Sequence, residues 1–198
     1  MPLLAKVSNH RDVTLGALGP LSPTAWATHC QGVSHAGYNI VTGDDTDETL
    51  EGTNGDDIID GQGGKDTIDA KGGNDVICGG GDNDTIDGGS GVDSTTGNSG
   101  NDDIDGGGGS DTLDGWTGED VIHGNTGQDL IAGWDDHDEL HGQDHNDDLF
   151  GESQNDDVFG GPDNDGLSGG DGASDHCDGG GGTDFLWDTT CEQTQDIP

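Results

Sequence analysis

A nine-residue period constrains this sequence more than any other feature. From Gly52 to Asp87 the chain reads GTNGDDIID, GQGGKDTID, AKGGNDVIC, GGGDNDTID. Each block opens on a small residue, carries Asp in the sixth place and an aliphatic in the eighth. Extended both ways, the frame starts in degenerate form at Gly43 and ends at Trp187. That makes sixteen units, one of which holds an additional residue near Ala173–Ser174. The first place is Gly except at Ala70. The sixth is acidic throughout: Glu48, Asp57, Asp66, Asp75, Asp84, Asp93, Asp102, Asp111, Asp120, Asp129, Asp138, Asp147, Asp156, Asp165, Asp175 and Asp184. The eighth is Leu, Ile or Val except at Thr95 and Cys177. A short fixed period marks a stacked repeat architecture. One aliphatic per unit makes no core alone, so units must stack.

The columns resemble the hemolysin-type (RTX) calcium-binding nonapeptide, G-G-x-G-x-D-x-U-x with U aliphatic. The resemblance covers about three quarters of the chain and implies an all-β fold, a right-handed parallel β-roll solenoid with two repeats per coil. It implies a Gly-rich turn of six residues, a short strand with U inward, and units n and n+2 on the same edge. It also implies calcium between neighbouring turns of an edge, held by backbone carbonyls and carboxylates. Asp57 is then the neighbour of Asp75, Asp66 of Asp84, and Asp102 of Asp120. The implied ligands are Asp57, Asp66, Asp75, Asp84, Asp93, Asp102, Asp111, Asp120, Asp129, Asp138, Asp147, Asp156, Asp165 and Asp184. Asp175, beside the inserted residue, is left out.

The chemistry fits that resemblance. Calcium is a hard ion that takes six to eight oxygens from carboxylates and carbonyls. Glycine lets the backbone turn its carbonyls through positive φ. One buried aliphatic per unit does not offset the entropy of ordering nine backbones, so ion binding and folding are expected to be coupled. The competing reading is a disordered Gly/Asp-rich segment, but disorder gives no reason to space aliphatics every nine residues. With 43 acids against 4 Lys plus Arg, the formal charge is −39. Such a chain repels nucleic-acid phosphates and anionic membranes and attracts cations. No apolar run approaches a membrane span, so membrane insertion is not expected.

Four domains are read from the chain: a secretion signal over 1–27, a lead-in strand or cap over 28–42, the roll over 43–187 and a tail or cap over 188–198. Lys6 and Arg11, the mildly apolar Val13–Leu21 and the small-x-small Ala25-Trp26-Ala27 support the signal. Asp12, Pro20 and Pro23 oppose it. Asn39-Ile40-Val41 predicts a first strand. Cys30, Cys78, Cys177 and Cys191 form an even set with no zinc-type spacing, which points to an oxidising, extracellular compartment. The run from Cys177 to Glu192 resembles the C-terminal cap of short secreted proteins with these repeats. That resemblance implies a Cys177–Cys191 disulfide clamping the last coil, with Cys30–Cys78 pinning the N-terminal segment. Free thiols are the alternative.

From Gly133 to Ser168 the fourth place holds Asp136, His145, Gln154 and Asp163 instead of Gly. Distorted turns are expected there, with Asp138, Asp147 and Asp156 the weaker ligands. HDELH at His137–His141 is no metalloprotease motif, since Asp138 follows the first His and the segment lies in the repeat frame. No nucleophile–base set is found, so no enzyme is expected. Trp116 and Trp134 share the second place and should stack on one edge; His123 and His141 share the ninth. A sugar or a transition metal is the binding reading of these pairs, and packing between coils is the plain one. The function expected is a secreted calcium-binding structural or interaction module, with a cell-surface or glycan partner. An ice- or glycan-binding adhesin module, or the detached repeat region of an RTX hydrolase or toxin, is the alternative.

Overall fold

The nine-residue unit becomes half of an eighteen-residue coil. The computed structural model describes residues 37–187 and 189–195, all within one compact unit, His35–Pro198. The signal read over 1–27, most of the lead-in and Cys30 lie outside the described residues. The strands are β1 (Asn39–Thr42), β2 (Thr49–Glu51), β3 (Asp57–Asp60), β4 (Thr67–Asp69), β5 (Val76–Gly81), β6 (Thr85–Asp87), β7 (Ser94–Ser99), β8 (Asp103–Asp105) and β9 (Thr112–Thr117). They continue as β10 (Val121–Thr126), β11 (Leu130–Asp135), β12 (Glu139–Asp144), β13 (Asp148–Glu152), β14 (Asp157–Pro162), β15 (Gly166–Ser168), β16 (Asp175–Gly181), β17 (Phe185–Leu186) and β18 (Cys191–Gln195).

Odd-numbered strands form one nine-stranded sheet in the order β1-β3-β5-β7-β9-β11-β13-β15-β17. Even-numbered strands form the other, from β2 to β18. Every pairing is parallel, and the register steps by eighteen as far as β15, as in Ile59↔Ile77 and Ile68↔Ile86, and by nineteen across the inserted residue, as in Asp157↔His176. The result is a β-roll solenoid of about eight turns, two repeats to the coil. Among the described residues no helix is long and apolar enough to cross a membrane.

The eighth place of both sheets points inward and makes the core. Ile68, Ile86, Ile104, Ile122 and Leu140 stack from the even strands; Ile59, Ile77, Leu113, Ile131 and Leu149 stack from the odd ones. Each is buried to 1 % exposure or less. Period-2 alternation inside a strand of three residues suffices, because the flanking seventh and ninth places lie on the opposite face of the sheet, where Ile58, Cys78, Ala132 and Phe150 of the odd strands are buried as well. Thr95 takes the same inward place between Ile77 and Leu113. Its Oγ1 is buried with no hydrogen-bond partner. Thr95→Val removes that hydroxyl at constant shape, and is expected to stabilise the calcium-loaded protein by about 1 kcal/mol. Denaturant unfolding measures it, and a lower midpoint would contradict it.

Cys177 closes the even core row and is bonded to Cys191, Cα to Cα 5.6 Å across 14 residues. Cys78 is disulfide-bonded as well; its expected partner, Cys30, lies outside the described residues. The inward row is thereby plugged at its C-terminal end by a covalent clamp.

Candidate metal centre

The sixth-place residues stand in two columns, one along each edge of the roll. In each column the backbone N–H of one member donates to Oδ1 of the next, eighteen residues on, or nineteen where the inserted residue intervenes. Asp57 donates to Asp75 at 2.7 Å, Asp75 to Asp93 at 2.8 Å, and the chain continues through Asp111, Asp129, Asp147 and Asp165 to Asp184. On the other edge Glu48 donates to Asp66 at 2.9 Å, and the ladder runs through Asp84, Asp102, Asp120, Asp138 and Asp156. All the aspartates expected as ligands are buried, at 6 % exposure or less. The neighbours that the resemblance implies, Asp57–Asp75, Asp66–Asp84 and Asp102–Asp120, are brought together.

The ladder occupies one oxygen of each carboxylate and leaves the other. Apart from Asp175, Oδ2 of the thirteen sixth-place aspartates from Asp66 to Asp184 is buried without a hydrogen-bond partner. Buried polar atoms are nearly always paired, and an orphan points to a missing water or ion. These oxygens face the first-place glycine of their own unit. A Cβ at Gly124 would lie 2.5 Å from Asp129 Oδ2 and 2.9 Å from the Gly142 carbonyl oxygen. At Gly142 the distances are 2.5 Å to Asp147 Oδ2 and 2.7 Å to the Gly160 carbonyl. The missing side chain is what allows a carboxylate oxygen and a carbonyl of the next coil to approach one point. Hard oxygens of these two kinds are what calcium selects. Among the described residues no three His, Cys, Asp or Glu side chains gather into a cage, so backbone carbonyls would supply most of a coordination shell here.

The ends of the columns differ. Asp57 is satisfied by protein: Thr53 donates its N–H at 2.6 Å and its Oγ1 at 3.1 Å to Oδ2, and Asn39 Nδ2 donates to Oδ1 at 2.7 Å. Asp175 joins the ladder, accepting the Asp156 N–H at 3.2 Å. The inserted residue is absorbed in the turn, where Asn155 Oδ1 takes the N–H of both Ala173 and Ser174.

The turns without a fourth-place Gly do change, but not at the ladder. Fourth-place glycines Gly73, Gly91, Gly100, Gly109, Gly118 and Gly127 hold φ between 129° and 159°. Asp82, Asp136, His145, Gln154 and Asp163 shift to φ between 70° and 85°, the left-handed well that side chains can enter. Asp138, Asp147 and Asp156 keep their ladder bonds regardless. A second, exposed ladder escaped the sequence reading. Fifth-place carboxamides and carboxylates accept the N–H of the next coil, as in Asn74 to Asp56 and Val92 to Asn74, both 2.9 Å. Its signal was there, in the repeated Asn of the fifth place.

The family model of the RTX calcium-binding nonapeptide repeat matches residues 42–77, 66–95, 96–131, 117–144 and 141–174, more than half of the chain. This chain belongs to the RTX calcium-binding repeat family. No curated protein matches it. The RTX repeat is a structural calcium-binding unit, not catalytic by itself, and this roll is a calcium-binding repeat protein.

Burial acts strongly on the RTX columns. Desolvation pushes Asp75, Asp93 and Asp102 up to about 6, Asp84 and Asp111 to about 7, and Asp120 and Asp147 to about 8. The ladder N–H opposes the shift, and for Asp84, Asp111, Asp120 and Asp147 the carboxylates one coil away add to it. In the unfolded chain these groups titrate near 3.9. Between about pH 4 and 8 the metal-free folded state therefore holds more protons than the unfolded one, and its stability falls as pH rises. Calcium-stripped protein is expected to melt at a clearly higher temperature at pH 4.5 than at pH 8. A midpoint that is flat or rises with pH would contradict this.

The paired aromatics settle as stacks between coils. Trp116 and Trp134 lie 5.3 Å apart at 16°, with Trp134 Nε1 donating to Asp114 Oδ1 at 2.9 Å. His123 and His141 lie 4.7 Å apart at 18°, and Phe159 extends their stack. The HDELH segment runs into strand β12, not a helix.

Proposed function

We propose that this chain is a secreted module that folds on binding several calcium ions and serves as a structural or interaction element, with a cell-surface or glycan partner. The observation that carries the reading is the file of buried, unpartnered Oδ2 atoms along both edges. Proposed ligands are Asp66, Asp75, Asp84, Asp93, Asp102, Asp111, Asp120, Asp129, Asp138, Asp147, Asp156, Asp165 and Asp184, with Asp175 added. Asp57 starts its column where Thr53 already donates, and would contribute least.

When bound, calcium supplies positive charge against carboxylates that the coils hold close together. The chain does the rest. The ladder fixes each carboxylate through Oδ1, so that only Oδ2 faces the gap. First-place glycines keep the gap open, and carbonyls of the next coil line it. The Cys177–Cys191 disulfide and the bonded Cys78 support export, since disulfides persist in oxidising compartments. N-terminal sequencing of exported material beginning at Thr28 would support the signal.

A calcium titration by calorimetry, with native mass spectrometry for stoichiometry, tests the reading. Several ions per chain are expected, and the count should fall in Asp120→Asn. A chain that takes up one ion, or none at millimolar calcium, would refute it.

A further inference from the structure

The outer face of the even-numbered sheet carries a group of side chains that calcium chemistry does not use. Asp157 on β14 and His176 on β16 are directly paired across neighbouring strands. His176 Nδ1 lies 3.5 Å from Asp157 Oδ1. His137, in the turn before β12, places Nε2 3.9 Å from the other oxygen, Oδ2. One carboxylate thus stands between two imidazoles, each turned to a different oxygen.

We propose that His137, Asp157 and His176 form a binding site for a divalent transition metal such as zinc, separate from the calcium columns. Both separations exceed a normal hydrogen bond. The 3.5 Å from His176 to Asp157 is close to the distance between neighbouring donors around a tetrahedral ion, about 3.3 Å for bonds of about 2.0–2.1 Å, and His137, at 3.9 Å, has to close in. Two imidazoles and a carboxylate select zinc, copper or nickel, whereas oxygen-only sites suit calcium. Asp157 and His176 are held by the parallel register at the strand spacing. His137 is more than half exposed, so it is free to close on an ion. No cage of three such side chains stands ready among the described residues; His137 completes it by turning in. The more obvious pair, His123 and His141, is less suited. Its rings are stacked face to face, and His141 Nε2 is engaged by Glu139 Oε1 at 2.9 Å. The charge of −39 raises the local concentration of any divalent cation.

The test is zinc calorimetry on the full chain in millimolar calcium, with strand content checked by circular dichroism. One zinc per chain is expected, with micromolar affinity. His137→Ala and His176→Ala should each weaken it at least tenfold, and His145→Ala, on another exposed turn, should leave it unchanged. With copper in place of zinc, electron paramagnetic resonance should show two coordinated nitrogens, falling to one in His137→Ala. His137→Ala changes an exposed turn residue, so loss of folding does not obscure its result. Zinc affinity unaffected in the two alanine variants would overturn the proposal. So would zinc uptake that disappears when calcium is in excess, since that places the ion in the aspartate columns.

Discussion

Calcium-stripped protein at pH 8 is expected to lose more than about half of its strand signal in circular dichroism, and to regain it on titration to millimolar calcium. The argument is local. Thirteen buried Oδ2 atoms have no protein donor, and at pH 8 the carboxylates are driven to ionise. A buried charge without a partner is costly. Each is repeated one coil away, so the columns also repel themselves. Against this, each unit offers one buried aliphatic and a short parallel ladder. Protons relieve the same charges at low pH, so strand signal should return in calcium-stripped protein near pH 4.5. Unchanged strand content in excess chelator at pH 8 would end the coupled-folding reading, while leaving the roll itself in place.

Gly109→Ala is expected to be among the most damaging single-methyl changes in the roll, costing upwards of about 4 kcal/mol or preventing folding at millimolar calcium. Gly109 has φ 152°, a region closed to side chains. An added Cβ would sit within the van der Waals radius of the Gly91 carbonyl oxygen, in the neighbouring coil. That contact is backbone against backbone, so no side chain can move aside. Relief requires the coils to separate, which breaks the ladder through Asp111. Gly181→Ala is the control. Nothing lies within 4 Å of its Cβ position, and its effect should stay within about 0.5 kcal/mol. Equal midpoints for the two variants in denaturant would show that coil spacing is not fixed by these turns.

Some residues announced their place and others did not. Ile59, Ile77 and Ile131 could be assigned to the core from spacing alone, because an aliphatic every ninth residue is the one regular apolar signal in the sequence. Cys177–Cys191 was reached by resemblance, and the structure joins them. The second place was not legible. From Gln62 to Gly180 every second-place residue has positive φ, including Lys71, Trp116, Trp134 and Glu152. None of those side chains signals such a backbone. The corner of the coil imposes it, and stacking on the neighbouring coil, as between the two tryptophans, holds it. The sequence places Asp175 in the sixth column but leaves its turn in doubt. A fixed frame cannot tell where an insertion is absorbed, and only the Asn155 bonds to Ala173 and Ser174 show that the turn takes it up.

By itself, the sequence determined the nine-residue unit, its inward aliphatic and its acidic sixth place, because all three follow from a period that local side-chain chemistry enforces; two repeats to the coil, and hence two acidic edges, came with the resemblance to the RTX repeat. Tertiary structure alone decided which oxygen of each aspartate is used up and which remains. That outcome depends on how closely one coil approaches the next, a distance set by hydrogen bonds between residues eighteen apart and written in neither of them.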